Sequence, residues 1–172
     1  MTVLLVFVYP TYQAAERQDT LTQIVIHKAV TEFVDAARTK GYISPKMYSD
    51  FTDQLGSTNN AYTVEIEHLH KKYNPIYSDP ADPTTFQQSF QDYYDGHYTE
   101  EIEKVMFPST VMSADSDSRK YKMSAGDFIT VEVKSKNPTL ARTIRSYLIG
   151  EAADNSSDIY MTYSGMILNE DY

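Results

Sequence analysis

The chain contains no cysteine and no tryptophan among its 172 residues. Without cysteine it cannot form a disulfide framework, a thiol nucleophile, a zinc finger or a cysteine-ligated iron–sulfur cluster. Glycine is also scarce, at six residues, and the sequence has no phosphate-binding glycine loop, no Gly-x-Ser-x-Gly elbow and no His-Glu-x-x-His motif. No residue pattern identifies a reaction, so we expect a non-catalytic protein without a cofactor.

Basic residues are few, since 15 Lys and Arg stand against 24 Asp and Glu and give a formal net charge of −9. An acidic chain without a concentrated basic patch is a poor partner for nucleic acid, because nothing neutralises the phosphates. Hydrophobic residues make up 41% and charged residues 23%, which is enough apolar material for a packed core. The length suits one ordinary domain.

The amino end is apolar and carries no charge through Ala15. A membrane-spanning helix needs about 20 apolar residues, and the continuous run here is shorter. Three interpretations are open: the second half of a membrane helix, a buried strand that opens an α/β domain, or a short tail that docks onto a partner. We take the first as the prediction, and the residues of this membrane anchor are Val3, Leu4, Leu5, Val6, Phe7, Val8 and Tyr9.

A helical pattern follows the apolar run and ends at Gly41, a residue that commonly terminates helices. Its apolar residues recur at the spacing of one helix face. The pattern predicts one long helix over residues 1–40, membrane-seated at its start and packed on a sheet at its end, with Pro10 as a kink. The residues predicted to pack this stalk on the sheet are Ile26, Val30, Phe33 and Ala37.

The remaining residues, 41–172, carry the whole net charge and form the predicted globular head. The pattern predicts helices over 45–55, from Thr99 and from Asn137-Pro138 to Gly150, with Thr99 capping the start of its helix. It predicts strands over 62–70, 128–133 and 159–168, and a loop over 73–83. These elements indicate an α+β fold, with a small antiparallel sheet on the long helix and short accessory helices.

His68 and His70 are the sharpest candidates for chemistry. Two His residues at i and i+2 of a strand project from the same face, a geometry that metal sites use. A third ligand would have to come from His27, His97, or a carboxylate such as Asp92 or Asp95. Because nothing in the pattern obliges any of these four to reach the strand, we expect no specific metal. A metal-dependent soluble or secreted enzyme using His68 and His70 is the alternative function.

Other polar residues carry weaker signals. Acidic pairs in predicted loops offer hard oxygens for calcium, but we expect solvated turns because no twelve-residue calcium loop is present. Glu65 and Glu67 are typical of a wet strand face. The 15 tyrosines fit either a wet contact surface or the edge of the core, and both interpretations stay open. The acidic pairs are Asp79 and Asp82, Asp92 and Asp95, and Asp115 and Asp117, and a glycosylation pattern begins at Asn155.

The layout resembles type IV pilin-like proteins, more narrowly the minor pilins and pseudopilins of tight-adherence pilus machinery in Gram-positive bacteria. The resemblance rests on FVDAARTKGY over residues 33–42, on Ile43-Ser44, on Tyr48-x-x-Phe51-x-x-x-Leu55, and on the strand that begins with Val64. It implies a structural protein outside the cytoplasm, held in the membrane by its first helix. Its partners would be other pilin-like subunits, secretion-machinery proteins or further copies of itself. A cytoplasmic binding module is the third hypothesis.

Overall fold

The structure, a computed structural model, describes residues 2–109, 113, 116–150 and 159–170, with side chains for all of these except 2–6 and 149. Helix α1 (Thr2–Lys40) opens the chain and contains Pro10. Gly41 ends it at a φ of +74° and approaches the backbone of Asn169 so closely that a Cβ atom would collide there. Both the left-handed turn and the close approach therefore require glycine.

The elements after α1 form two antiparallel sheets and three further α-helices within the described ranges. Strand β1 pairs with β4, and the larger sheet has the strand order β3-β2-β5-β6. The elements are β1 (Tyr42–Ile43), α2 (Pro45–Gly56), β2 (Tyr62–Tyr77), β3 (Phe86–Tyr98), α3 (Thr99–Met106), β4 (Tyr121–Lys122), β5 (Phe128–Ser135), α4 (Leu140–Ile149) and β6 (Tyr160–Met166). The α+β class, with a long amino-terminal helix, antiparallel strands and short helices, is confirmed.

The predicted loop over 73–83 is wrong for its first five residues. Strand β2 continues to Tyr77 and pairs with β3, a strand that the sequence analysis did not predict. Pro75 lies opposite Phe90, and the register shifts between Pro75 and Tyr77. A proline is tolerated in a strand at such an irregularity, because its missing N–H is not needed for a regular ladder there.

The predicted cap of one helix and the predicted start of another are also corrected. Helix α3 begins at Thr99, but the Thr99 hydroxyl accepts a hydrogen bond from the backbone N–H of Ile66 on β2 at 2.7 Å instead of capping its own helix. Helix α4 is capped by Thr139, not by Asn137, since the Thr139 hydroxyl accepts from the backbone N–H of Arg142 at 3.3 Å. Its predicted end at Gly150 is confirmed by a left-handed φ of +73°.

The chain forms two compact units, and unit 1 comprises residues 1–34, 46–65 and 131–163. Its interior contains the stacked rings of Phe33 on α1 and Phe51 on α2, whose centroids lie 4.5 Å apart. Tyr48 meets the same Phe33 ring edge-on at 6.5 Å. The apolar stripe predicted on α1 is buried at Ile26, Val30 and Phe33. Its last residue, Ala37, is also buried but belongs to unit 2, which is described next.

Unit 2 comprises residues 35–45, 66–130 and 164–172. Here the end of α1 is tied to the last strand, because Arg38 Nε donates to the carbonyl of Met166 at 2.9 Å and Leu168 N–H donates to the carbonyl of Arg38 at 2.9 Å. Gly165 on β6 leaves space for the Arg38 side chain, which a Cβ atom would strike. The buried apolar side chains of this unit include Ile66, Ile102, Met106, Met123 and Ile129.

Candidate functional site

His68 and His70 lie on the same face of β2, as the strand spacing predicts, and they meet the carboxylate of Asp127. The His68 and Asp127 side chains are 4% and 1% exposed, whereas the His70 side chain is 33% exposed. Asp127 stands just before β5, after a turn in which its N–H donates to the carbonyl of Ser124 at 3.0 Å. Gly126 makes this turn at a φ of +94°, a conformation that favours glycine.

The Asp127 carboxylate accepts hydrogen bonds from four groups. Backbone N–H groups of Lys71 and Ser124 donate to Oδ1 at 2.9 Å and to Oδ2 at 2.8 Å, respectively. His68 Nε2 lies 2.9 Å from Oδ2, and His70 Nδ1 lies 3.0 Å from both oxygens. A buried carboxylate needs such donors to compensate for its lost hydration, and this one is held in a fixed orientation by them.

The far side of His68 is also engaged. Its Nδ1 lies 2.7 Å from the hydroxyl of Tyr121, and the Tyr121 ring meets the imidazole edge-on at 5.5 Å. His97 stacks on His68 with ring centroids 5.7 Å apart and hydrogen-bonds Glu101 through Nδ1 at 2.9 Å. His68 is therefore fixed on both nitrogens and on one face.

Burial and hydrogen bonding set the charges of this cluster. Burial lowers the pKa of His68 and outweighs the opposing hydrogen bond and charge of Asp127, so the imidazole is neutral at pH 7. Burial by itself raises the pKa of Asp127, but the bonds from Lys71, His70, Ser124 and His68 together outweigh it and hold the pKa below its ordinary value. Burial, with the charges of Glu101 and Asp127, raises the pKa of Tyr121, which stays protonated.

These charges fix the tautomer of His68. A carboxylate only accepts, so Nε2–H of His68 donates to Asp127 and Nδ1 accepts from the Tyr121 hydroxyl. By the same reasoning Nδ1–H of His70 donates to Asp127. His70 Nε2 has no hydrogen-bond partner among the described residues.

One ligand atom from each of His68, His70 and Asp127 lies within 4.8 Å of the others, the spacing at which the three could hold a metal ion. None of the four predicted third ligands takes this place. Asp92 and Asp95 pair with Lys71 and Lys72 at 2.8 Å and 2.5 Å, His97 bonds Glu101, and His27 is an exposed residue of unit 1.

Sequence reasoning missed Asp127, although the Gly126-Asp127 turn before a strand was visible. A carboxylate at the start of a neighbouring antiparallel strand could have been tested as a partner of the histidines. Its distance of 59 positions from His68 along the chain concealed the contact.

The other acidic residues behave as turn and surface groups where they are described. Asp79 and Asp82 accept from the backbone N–H groups of Ala81 and Thr84 at 3.0 Å and 2.9 Å, as expected for turns. Asp117 forms an ion pair with Lys120 at 2.5 Å, and Glu65 lies 3.8 Å from Lys134. Asp115 and Asn155 lie outside the described residues.

The predicted membrane anchor belongs to α1, so it is helical and not a strand. The side chains of Val3, Leu4, Leu5 and Val6 lie outside the description, while Phe7 is 71% exposed and Tyr9 is exposed as well. Among the helices of the described residues, none combines the length and the apolar character needed to cross a membrane.

An apolar groove of about 420 Å³ lies beside the start of α1, within unit 1. The groove is lined by Phe7, Val8, Thr11, Ile144, Tyr147 and Leu148.

Four tyrosines are exposed, which favours solvated contact surfaces over the core edge at their positions. They are Tyr93, Tyr94, Tyr98 and Tyr160.

Comparison of the chain with protein-family models, with curated proteins and with solved structures finds no match. The fold class comes from the structure itself, which is that of an α+β protein with a long amino-terminal helix. The resemblance to pilin-like proteins stays a prediction.

Proposed function

We propose that this protein is a non-catalytic structural or interaction protein: a pilin-like subunit or accessory component of an extracytoplasmic filament or secretion apparatus. It is anchored to the membrane or to partner subunits through the first turns of α1. The observation that carries the proposal is the change in burial along this single 39-residue helix. Its later stripe is buried, whereas its earlier apolar side chains are open to contact.

Helix α1 exposes several large apolar side chains. Phe7, Tyr9, Leu21, Ile24 and Val25 are all exposed, within the same helix that buries Ile26 and Val30 completely. Contiguous exposed apolar surface on a protein indicates a site of contact with another protein or with a membrane. A helix that is packed at one end and apolar and open at the other is the arrangement that a pilin-like subunit needs.

Helix α4 enlarges this apolar surface. Its Tyr147 and Leu148 are 87% and 62% exposed and line the groove with Phe7 and Val8. The groove therefore offers aromatic and aliphatic side chains from two helices of unit 1 to one partner. We infer that this partner is a membrane, a pilin-like subunit or a secretion-machinery protein.

The experiment expresses the full chain in its native host and separates cytosol, membranes and sheared surface material. The parent is expected in the membrane or surface fraction. Phe7→Glu with Val8→Glu places two charges on the apolar surface and should shift the protein to the soluble fraction, because inserting or docking charged side chains is costly.

The matched control is Gln13→Glu with Gln23→Glu, which adds the same two charges at exposed polar positions of the same helix. It should fractionate as the parent does. A parent found in the cytosol, or equal fractionation of all three proteins, would contradict the proposal.

A further inference from the structure

We propose that His68, His70 and Asp127 form a binding site for a divalent transition-metal ion of the zinc class. His68 Nε2, His70 Nδ1 and one carboxylate oxygen of Asp127 are the protein ligands, and water takes the fourth position. The expectation of no metal depended on a missing third ligand, which Asp127 supplies. The proposal uses none of the residues on which the pilin-like function rests.

Two of the three distances between the ligand atoms are close to those of a tetrahedral site. Zinc binds imidazole nitrogen and carboxylate oxygen at roughly 2.0–2.2 Å, which places neighbouring ligand atoms about 3.3 Å apart. In the structure His68 Nε2 and His70 Nδ1 lie 2.9 Å and 3.0 Å from the carboxylate of Asp127. The three ligand atoms all lie within 4.8 Å of one another, so adjustments of the side chains would admit an ion between them.

The donor atoms select the class of metal. Two imidazole nitrogens and one carboxylate oxygen suit zinc and similar first-row ions, whereas calcium takes six to eight oxygen ligands and magnesium prefers oxygens and water. Neither thiolate nor thioether is part of the cluster, so the softest ions are disfavoured. A site with three protein ligands and one water leaves a position that can exchange.

Outer hydrogen bonds that orient metal ligands are already present. The N–H groups of Lys71 and Ser124 hold the Asp127 carboxylate, at 2.9 Å and 2.8 Å. The Tyr121 hydroxyl, 2.7 Å from His68 Nδ1, can accept a hydrogen bond from Nδ1–H once Nε2 binds metal. Such contacts fix the ligands before the ion arrives and raise its affinity.

The two histidines differ in their access to solvent, and this gives the ion an entry path. His68 and Asp127 are buried, while the His70 side chain is one-third exposed. An ion can therefore reach the cluster from the His70 side and keep its water there. Binding would join β2 to the turn before β5 and stabilise unit 2.

Metal binding requires a tautomer change that a purely structural hydrogen-bonded cluster does not undergo. In the metal-free state His68 carries its proton on Nε2 and His70 on Nδ1, the atoms that bond Asp127. With an ion bound at these atoms, each ring carries its proton on the other nitrogen. The ¹⁵N chemical shifts of the two rings report this change directly.

The experiment titrates zinc chloride into the full-length, chelator-treated protein and follows heat, melting temperature and imidazole ¹⁵N shifts. We expect one zinc per chain, a concentration-dependent rise in melting temperature and reversal of both tautomers. His70→Gln should lower the affinity more than about tenfold, since loss of an outer contact alone costs 10- to 100-fold. His27→Gln, at an exposed histidine of α1, is the control and should bind like the parent.

A second variant keeps the test decisive if His70→Gln does not fold. Tyr121→Phe retains the ring and removes only the hydroxyl, so it should weaken zinc binding by about tenfold through the outer contact. Absence of binding at micromolar zinc, unchanged tautomers on binding, or equal affinity in the parent and the folded variants would overturn the proposal.

Discussion

The two compact units fill their interiors by different means. In unit 1, Phe33 stacks on Phe51 and the surrounding stripe is apolar. Unit 2 buries apolar side chains and, in addition, the carboxylate of Asp127, which accepts hydrogen bonds from four donors. An apolar interior depends on volume and shape and is indifferent to protons, whereas a polar one depends on protonation and complete hydrogen bonding. The difference predicts separate responses to mutation and to pH.

The largest expected effect is in the apolar interior. Phe33→Ala removes the ring that stacks on Phe51 and should lower the free energy of unfolding by about 3–5 kcal/mol, through lost transfer energy and a residual cavity. Denaturant unfolding measures it. A loss below about 1 kcal/mol would mean that the ring is dispensable and that unit 1 is not held by this stack.

The buried carboxylate should come next. Asp127→Asn keeps the volume but removes the charge and the capacity to accept from all four donors, and should cost about 2–3 kcal/mol. The same denaturant measurement, at pH 7 without metal, checks it. If Asp127→Asn were neutral, the hydrogen bonds around Asp127 would not contribute to stability, and the contrast between the units would fail.

The pH dependence sharpens the comparison. Asp127 has a lowered pKa in the folded protein, so its contribution is lost as pH falls through that pKa. His68 also has a pKa below its ordinary 6.5, so the unfolded chain binds a proton first, and stability falls as pH drops from 6.5 toward the folded value. Both signs agree. Melting curves from pH 7 to 2 should show declining stability, with the same profile in Phe33→Ala. Above pH 4 the decline comes from His68 and should persist in Asp127→Asn, whereas the part that Asp127 adds near and below its ordinary pKa of 3.8 should be absent from that variant.

A helix cap in unit 1 should have a smaller effect. Thr139→Ala removes the hydroxyl that accepts from Arg142 N–H at the start of α4 and should cost about 1 kcal/mol. Thr139→Ser keeps the hydroxyl and is the control. Equal losses for both variants would point to the methyl group of Thr139 as the stabilising contact.

The smallest effect is expected on the wet side of α1. Glu32 is exposed and lies 3.6 Å from Lys28 at i,i+4 spacing, so Glu32→Ala should cost no more than about 0.5 kcal/mol. Phe33 is the next residue along the helix. The difference between the losses of unfolding free energy in Glu32→Ala and Phe33→Ala measures how strongly the exposed and buried faces of the helix differ. A loss comparable to that of Phe33→Ala would mean that the predicted faces are wrong.

Much of the fold followed from local patterns. The spacing of Ile26, Val30 and Phe33 predicted a buried helical stripe, and Gly41 its end, because helix periodicity and termination depend on neighbouring residues. The shared face of His68 and His70 followed in the same way from strand alternation. Strand β3 was missed because its residues are mostly exposed and gain order from pairing with β2, not from an alternating pattern of their own.

The sequence by itself determined the long helix, its buried stripe and the paired histidines. Tertiary structure alone decided that Asp127 completes the cluster, that Tyr121 orients His68 and that Thr99 bonds β2 instead of capping α3. The physical reason is range. A periodic pattern is written in residues a few positions apart, whereas a hydrogen bond between residues 57 or 59 positions apart forms only after strand pairing and a glycine turn have brought them together.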